Sequence, residues 1–466
     1  MALEIQKRRE HGTNTRIAPA RRVAFDLLRE LRQRPETHSD QLLRCREVND
    51  LSQVDRNLAT ALVMGVLRWQ IALDERIAAF LTRADTRLPE PVEVALELGA
   101  LQLLLFDRIP PHAAIFESVE LVKESGNAHA AGLVNAVLRK LVDAPRLGAA
   151  PLRFRSAEDI ARVWAHPLWM VARWVQAYGI TSAAAICRFD QYPPPTTIRL
   201  AEPHVEAALA AEGLSLEPGL FVERARRVVQ GDVTTTAAFA QGLVRIQDEG
   251  SQLIAELAGQ GTAILDCCAA PGGKTAILAE RNPQASILAC DVGISRVKAM
   301  RKFLQGRKGA EHISYRTIDA TALDMDRQFD LVVCDAPCSG TGTLARNPEI
   351  RHRIGYEDLP RQQDRQVQLL RSAMRSLAKG GRLVYSTCSL EPEENESVIS
   401  RALDLEKNFR VLSWVDRIQA LEREGILHPD SAELLFPQGS SEKFLRTTPG
   451  IHPFDGFFGA LLTRDA

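Results

Sequence analysis

Three short apolar runs in the second half of the chain end alike, each breaking off into polar, reactive residues and a turn. They are Ile264-Leu265 before Asp266, Leu331 to Cys334 before Asp335, and Arg382 to Tyr385 before Ser386. A run that is apolar from end to end suits a strand buried on both faces, and such strands belong to parallel sheets covered by helices. The expected strands are Ala263–Cys267, Ile287–Asp291, His312–Thr317, Leu331–Asp335 and Arg382–Tyr385. Helices are expected at Lys274–Glu280, Ser295–Leu304, Arg361–Leu377 and Glu393–Leu405. The alternation predicts an α/β fold with a mostly parallel sheet. Gly380-Gly381 is expected to stop the long helix near Leu377, and Gly456 to Leu462 to add an edge strand. In open sheets of this kind the strand ends frame the ligand crevice.

Two of those ends carry a cysteine, Cys338 in Asp335-Ala-Pro-Cys-Ser-Gly-Thr-Gly342 and Cys388 in Tyr385-Ser-Thr-Cys-Ser389. A lone free cysteine is often only a small buried hydrophobe. Two in matching contexts point instead to thiolate nucleophile chemistry. The third end opens Ile264-Leu-Asp-Cys-Cys-Ala-Ala-Pro-Gly-Gly-Lys-Thr275, a strand, an acid, a Gly-bearing turn and a helix start. Pro271, Gly272 and Gly273 suit a sharp turn that lets backbone approach a ligand. A phosphate loop would need glycine five residues before Gly273, where Cys268 stands, and a G-x-G-x-x-G is absent. What remains fits an uncharged or zwitterionic nucleoside ligand. Asp291, ending the next strand, sits where an acid grips ribose hydroxyls.

The ordered set of D-x-C-A-A-P-G-G-K-T, a strand-ending Asp, D-A-P-C-S-G-T-G, and S-T-C-S followed by P-E-E-N resembles the RNA (cytosine-5) methyltransferases. More narrowly it is similar to the Fmu/Sun-type bacterial family. The likeness covers about Val244 to the C-terminus, where Phe454-Asp-Gly-Phe-Phe458 resembles the closing strand. It implies a class I, Rossmann-like domain over residues 251–466 that uses S-adenosylmethionine. Ahead of it the resemblance implies an all-α NusB-like RNA-binding domain at 1–145, a linker at 146–165 and a small α+β extension at 166–250. The helical periodicity of Ala18–Arg32, Gln53–Leu81, Pro91–Phe106 and Ala113–Leu141 by itself supports only a bundle.

The resemblance also implies roles. Cys388 adds to carbon 6 of a cytosine so that carbon 5 can take the methyl group, and Cys338 assists breakdown of the adduct. Asp335 binds the amino edge of the base, and Lys274 contacts the site. Cys268, Ala269, Ala270, Pro271, Gly272, Gly273 and Lys274 wrap the methionine end of the cofactor. Asp291 holds ribose, Asp319 the adenine amino group, and Asp335 lies beside them; Asp266 orients the loop. The implied substrate is 16S rRNA, naked or partly assembled, at cytosine 967. A transfer-RNA enzyme shares every motif. A non-catalytic assembly factor is opposed by the intact cysteines, and an amino-group methyltransferase by Cys338 standing where an aromatic is needed. Cys267 replaces a branched aliphatic residue, and Val292-Gly293 lacks a polar residue often found two positions after the ribose acid.

Composition bounds the rest. The chain has 466 residues, 45% hydrophobic and 25% charged, and room for two or three domains. Nothing approaches a membrane span in length, and no signal peptide is indicated. Eight cysteines without a C-x-x-C pair argue against a disulfide framework or a structural metal. A cytoplasmic monomer that binds neither membrane nor DNA is expected. Net charge −1 gives no global pull toward RNA. Basic residues concentrate instead at 1–34, including Arg21, Arg22, Arg29 and Arg32, as either a solvated arm or an RNA contact. A second cluster, Arg346, Arg351, His352 and Arg353, is expected to reach substrate phosphate. Residues 1–145 are expected to supply affinity and not chemistry.

Overall fold

The computed structural model describes residues 17–34, 37–81, 87–150, 153–323, 328–437 and 441–465. The chain divides into two compact units, one of residues 1–172 with 347–353, the other of residues 173–346 with 354–466.

The first unit is helical: α1 (Pro19–Gln33), α2 (Gln53–Ala78), α3 (Glu90–Leu105), α4 (Pro111–Val122), α5 (Ala131–Leu141) and α6 (Ala157–Val163). Ser52 caps α2 by accepting from the Asp55 N–H, and a proline occupies the first turn of α1, α3 and α4. The helical pattern of Ala113 to Leu141 is interrupted at Gly126, whose φ of 86° no helix tolerates. The arginines of α1 are spent inside the unit. Arg21 pairs with Glu117 at 2.8 Å, Arg29 with Glu90 at 3.1 Å, Arg32 with Glu93 and Glu97, and Arg22 with Glu124. In the described part these charges pair with acids on α3, on α4 and just past it. Lys7, Arg8, Arg9 and Arg16 lie outside the described residues.

The stretch expected as a linker is built into the same unit. It contains α6, and Trp164 (3% exposed) meets Trp69 with ring centroids 6.4 Å apart. So is the segment 347–353. Glu349 accepts from the N–H and hydroxyl of Ser39 at 3.2 and 2.9 Å. Arg351, 2% exposed, donates to the carbonyls of Arg68 and Ala165 at 3.0 and 3.3 Å, and His352 Nε2 lies 2.8 Å from the Leu67 carbonyl. The expectation that Arg351 reaches substrate phosphate is therefore corrected, since backbone carbonyls hold its buried guanidinium, whereas His352 is exposed with one ring nitrogen bonded.

α7 (Leu168–Asp190) runs across the division at Ala172 and is interrupted at Gly179. In the second unit β1 (Thr196–Leu200), β2 (Ser215–Pro218), β3 (Ala225–Gln230) and β4 (Val244–Ile246) form an antiparallel sheet in the order β2-β3-β1-β4, with α8 (Val205–Ala211) between β1 and β2. After α9 (Glu249–Ala258) come β5 (Ala263–Asp266), α10 (Gly273–Arg281), β6 (Ser286–Asp291), α11 (Ile294–Leu304), β7 (Ile313–Thr317), β8 (Phe329–Asp335), α12 (Asp358–Arg375), β9 (Leu377–Thr387), α13 (Glu396–Leu405), β10 (Phe409–Leu412), β11 (Phe444–Thr447) and β12 (Phe457–Arg464). Among the described residues the larger sheet has the order β10-β12-β9-β8-β5-β6-β7, with β11 against β12. It is parallel from β9 to β7 and antiparallel at β12. Along β8, Leu331 and Val333 enter one core cluster while Val332 and Cys334 enter the other, which is why the run is apolar throughout.

Two expectations are corrected here. The long helix stops at Arg375, and Gly380 (φ 71°) and Gly381 lie inside β9, where a Cβ on Gly381 would sit 2.9 Å from the Ala378 carbonyl. β12 is not an edge strand but lies between β9 and β10. No described helix is long and apolar enough to cross a membrane.

Candidate active site

Strand order reverses between β5 and β8, the place where an α/β sheet opens a crevice at the carboxyl ends of its strands. β8 also pairs in parallel with β9, and Asp335 lies opposite Ser386. The loops that follow these two strands therefore start side by side, and they bring the sulfurs of Cys338 and Cys388 to 3.4 Å. Both thiols are free and partly exposed.

One carboxylate fastens the two loops. Glu394, fully buried, accepts from the Ser339 N–H at 2.8 Å, from the hydroxyls of Ser339 and Ser389, and from the Gln366 amide at 3.0 Å. Ser339 follows Cys338 and Ser389 follows Cys388, so a single group fixes both neighbours. Asn395 donates to the Ser389 carbonyl at 2.9 Å and accepts from the Thr387 hydroxyl at 2.6 Å, bracketing Cys388. Gly342 donates to the Cys388 carbonyl at 2.9 Å and accepts from Gly456 at 2.8 Å. A Cβ there would stand 2.4 Å from the Gly456 carbonyl oxygen, so only glycine lets the three segments close.

The charges around the sulfurs are unequal. Lys274, from the first turn of α10, holds Asp335 Oδ2 at 2.7 Å and lies 5.1 Å from the Phe457 ring centroid. Burial opposes its charge, but Asp335 and then Cys388 and Asp266 outweigh burial and keep the amine a cation. The Cys338 thiol is pushed well up, first by its hydrogen bond to Cys388, then by burial and the negative charges of Cys388 and Glu394. The other oxygen of Asp335 accepts from the Ser386 hydroxyl at 2.7 Å.

The cofactor-loop residues Cys268, Ala269, Ala270, Pro271, Gly272 and Gly273 join β5 to α10. The Cys267 and Ala269 N–H groups donate to the Val333 and Cys290 carbonyls, stitching the loop to both neighbouring strands. Gly272 has φ 106° and a Cβ on it would press Met300 at 3.0 Å. Asp266 accepts from the Thr275 hydroxyl at 2.8 Å, and burial pushes its carboxyl up to about 7. Its second oxygen and Gln247 Oε1, beside Gly273, are buried without a partner, as suits a ligand that brings donors such as an amino group. Asp291, buried at the end of β6, accepts from the Gly293 N–H at 3.0 Å and lies 3.2 Å from Arg296, which is mostly exposed and able to move aside. Asp319, two residues past β7, is an exposed turn cap, its carboxylate accepting from the Thr321 N–H and hydroxyl. These residues fit a zwitterionic nucleoside, with Asp319 the least enclosed. Among the described residues no group of His, Cys, Asp and Glu side chains could hold a metal ion.

Arg346, also expected at phosphate, is occupied by Asp248 and Asp455, both at 2.9 Å, and that expectation is corrected as well. Sequence reasoning gave no role to Glu394, Asn395, Gln366 or Gly342. The P-E-E-N residues were visible only as part of a resemblance, and what could have singled them out is a run of acids within seven residues of Cys388.

Residues 255–463 match the family described as 16S rRNA methyltransferase RsmB/F, and residues 18–143 match the NusB family. The chain is 34% identical over 405 residues to the probable ribosomal RNA small subunit methyltransferase B of Bacillus subtilis strain 168, covering 84% of this chain and 89% of that protein. It is 33% identical to the ribosomal RNA small subunit methyltransferase B of Pseudomonas syringae pv. tomato, over 84% and 88% of the two chains. The solved structure of PH0851 shares the fold with a TM-score of 0.77, 23% identity and coverage of 96% and 99%.

Proposed function

The chain belongs to the RsmB/F family of S-adenosylmethionine-dependent rRNA methyltransferases, and on that premise we propose that it methylates carbon 5 of a cytosine in 16S rRNA, cytosine 967, through a covalent cysteine–cytosine adduct. The observation that carries the reading is the pair of thiols 3.4 Å apart at neighbouring strand ends. Carbon 5 of cytosine is too poor a nucleophile to take a methyl group unaided. Cys388, as thiolate, adds to carbon 6, and the electrons of the 5,6 double bond move toward carbon 5 and the ring. Lys274 stands by as the cation that attracts a thiolate, and Asp335, fixed by Lys274 and Ser386, is placed to accept from the amino group of the base. S-adenosylmethionine, held by Cys268 to Lys274 with Asp291 and Asp319, supplies the methyl group from its sulfonium.

Cys338, after giving its own proton to solvent, then takes the carbon 5 proton as a thiolate, the 5,6 double bond re-forms, and the Cys388 thiolate leaves. The order follows from charge. The Cys338 thiol is held protonated chiefly by the Cys388 sulfur, and once that sulfur is a neutral thioether its share of the restraint is lifted, while burial and Glu394 remain. The base becomes easier to form at the step that needs it. The enzyme works on naked or partly assembled RNA, because the target must leave its stack to reach the sulfurs, and it does so as a cytoplasmic monomer. Bisulfite sequencing of total RNA from a deletion strain, before and after treatment with purified protein, tests the assignment. One 16S cytosine should become protected; protection of a transfer-RNA position, or of none, overturns it.

A further inference from the structure

The groove at the C-terminal half of α11 holds a set of charges that nothing in the active site uses. Lys298, Arg301, Lys302, Arg307 and Lys308 line it, together with the edge of the small sheet at Gly242 and Arg245. Among the described residues none of the five has an ion-pair partner. Three carboxylates share the groove. Glu280 is taken by Arg199 and Arg245, Glu202 faces Arg224 at 3.7 Å, and Glu311 is exposed. Cations in the last turn of a helix are common because they meet its negative end. That accounts for Arg301 and Lys302 but not for Lys298, Arg307 and Lys308.

Aromatic rings lie among the charges. The Arg301 guanidinium sits 5.8 Å from the Tyr315 ring centroid, and Arg307 sits 4.5 Å from that of Phe303, itself 37% exposed. Arg307 is anchored by donating to the Phe303 and Gly242 carbonyls at 2.8 and 3.1 Å. Burial, and then the like charge of Arg245, bring its pKa down. A chain of net charge −1 thus keeps a local positive strip with stacking surfaces, the combination that binds nucleic-acid backbone.

α11 leaves the Asp291 end of β6 and runs back about 16 Å for its 11 residues. Its last turn lies by the start of β7, at the edge of the sheet away from the cysteines, and Ile313 of β7 lines the same groove. A target base cannot be in both places. We propose that this groove binds the sugar-phosphate backbone of substrate RNA flanking the target cytosine, a role that rests on the rRNA methyltransferase reading.

The test compares full-length wild type with Lys298→Glu/Lys302→Glu, and with the milder Lys298→Gln/Lys302→Gln. Both replaced side chains are exposed, so the fold should hold. Binding is read by fluorescence anisotropy over a salt series, and turnover by methyl incorporation, on a long 16S fragment and on a short hairpin carrying only the target loop. For the long RNA, the reversal should raise Kd and KM roughly tenfold or more and flatten the salt dependence by about two released ions, with kcat kept. The short hairpin should bind both proteins alike. Equal salt slopes on the long RNA overturn the proposal, as does an equal loss on both RNAs. If wild type methylates neither RNA, the methyltransferase reading has failed, while the binding slopes still decide the groove.

Discussion

Cys388 and Cys338 each follow a parallel strand, each precede a serine, and stand 3.4 Å apart, yet different groups face them. Cys388 lies within the field of the Lys274 ammonium. Cys338 faces Cys388 itself and the buried carboxylate of Glu394, which hold it as a thiol. Two near-identical sequence contexts thus give one sulfur near a cation and one facing a buried carboxylate. Local sequence identifies a reactive residue; the neighbours that share its charge decide when it reacts.

Removing either sulfur breaks the comparison most directly. Cys388→Ala should lower turnover by more than about 10⁴-fold with cofactor affinity unchanged, since the loss falls on bond-making. Isothermal titration with cofactor and single-turnover assays check both halves, and substantial turnover would end the assignment. Cys338→Ala should lower turnover by roughly 10²- to 10⁴-fold, the usual worth of a positioned acid or base. It should also accumulate an RNA–protein adduct that survives denaturing gels. The same adduct from Cys388→Ala instead would exchange the two roles.

Glu394→Gln sharpens the comparison, because it loosens both loops and removes neither sulfur. An amide cannot accept from the Ser339 N–H, two hydroxyls and Gln366 with both of its heavy atoms. A stability loss of about 1–3 kcal/mol is expected, with roughly a hundredfold loss of rate from misplacement. Adduct formation and adduct release should slow together, whereas each cysteine variant slows one. Quench-flow separation of the two steps is the measurement.

The smallest effect concerns pH. Burial raises the Asp266 carboxyl from 3.8 to about 7, so the folded chain keeps a proton that the unfolded chain has already released across that window. Stability should therefore fall as pH rises from about 4 to 7 and flatten above, by no more than about 1.4 kcal/mol per unit. Asp266→Asn should remove that fall, leaving the sulfurs as the main source of pH dependence in the rate. Urea midpoints across the range would show an unchanged slope if this carboxyl is not the cause.

Much of the catalytic unit could be read from sequence because its strands are buried on both faces and its helices keep a clean period. Expected and observed strands differ by only a residue or two at β5, β6, β7 and β8. Gly380-Gly381 misled because glycine ends helices and also permits the positive φ found inside β9 at Gly380. β12 looked like an edge because it comes last, although sheet order is not chain order. Arg346 and Arg351 looked like phosphate ligands because clustered charge in a sequence does not reveal whether it is already paired. Glu394 carried no visible role, since a carboxylate that bridges two loops is defined by residues about 30 and 55 positions away.

The segment 347–353 carries a consequence for synthesis. The ribosome delivers the helical unit through residue 172, then has to make a further 174 residues before it starts the segment whose Glu349, Arg351 and His352 engage Ser39, Arg68, Ala165 and Leu67. At about 5–20 residues per second that is a wait of roughly 10–35 s. During that interval the first-made part of the protein is short of one of its own pieces. Its completion reports that the Cys338 loop, nine residues upstream of Asn347, has been made. A shortened chain lacking residues 1–145 would leave the buried Arg351 without its Arg68 partner, so what looks in sequence like a removable leader is a part that the end of the chain comes back to finish.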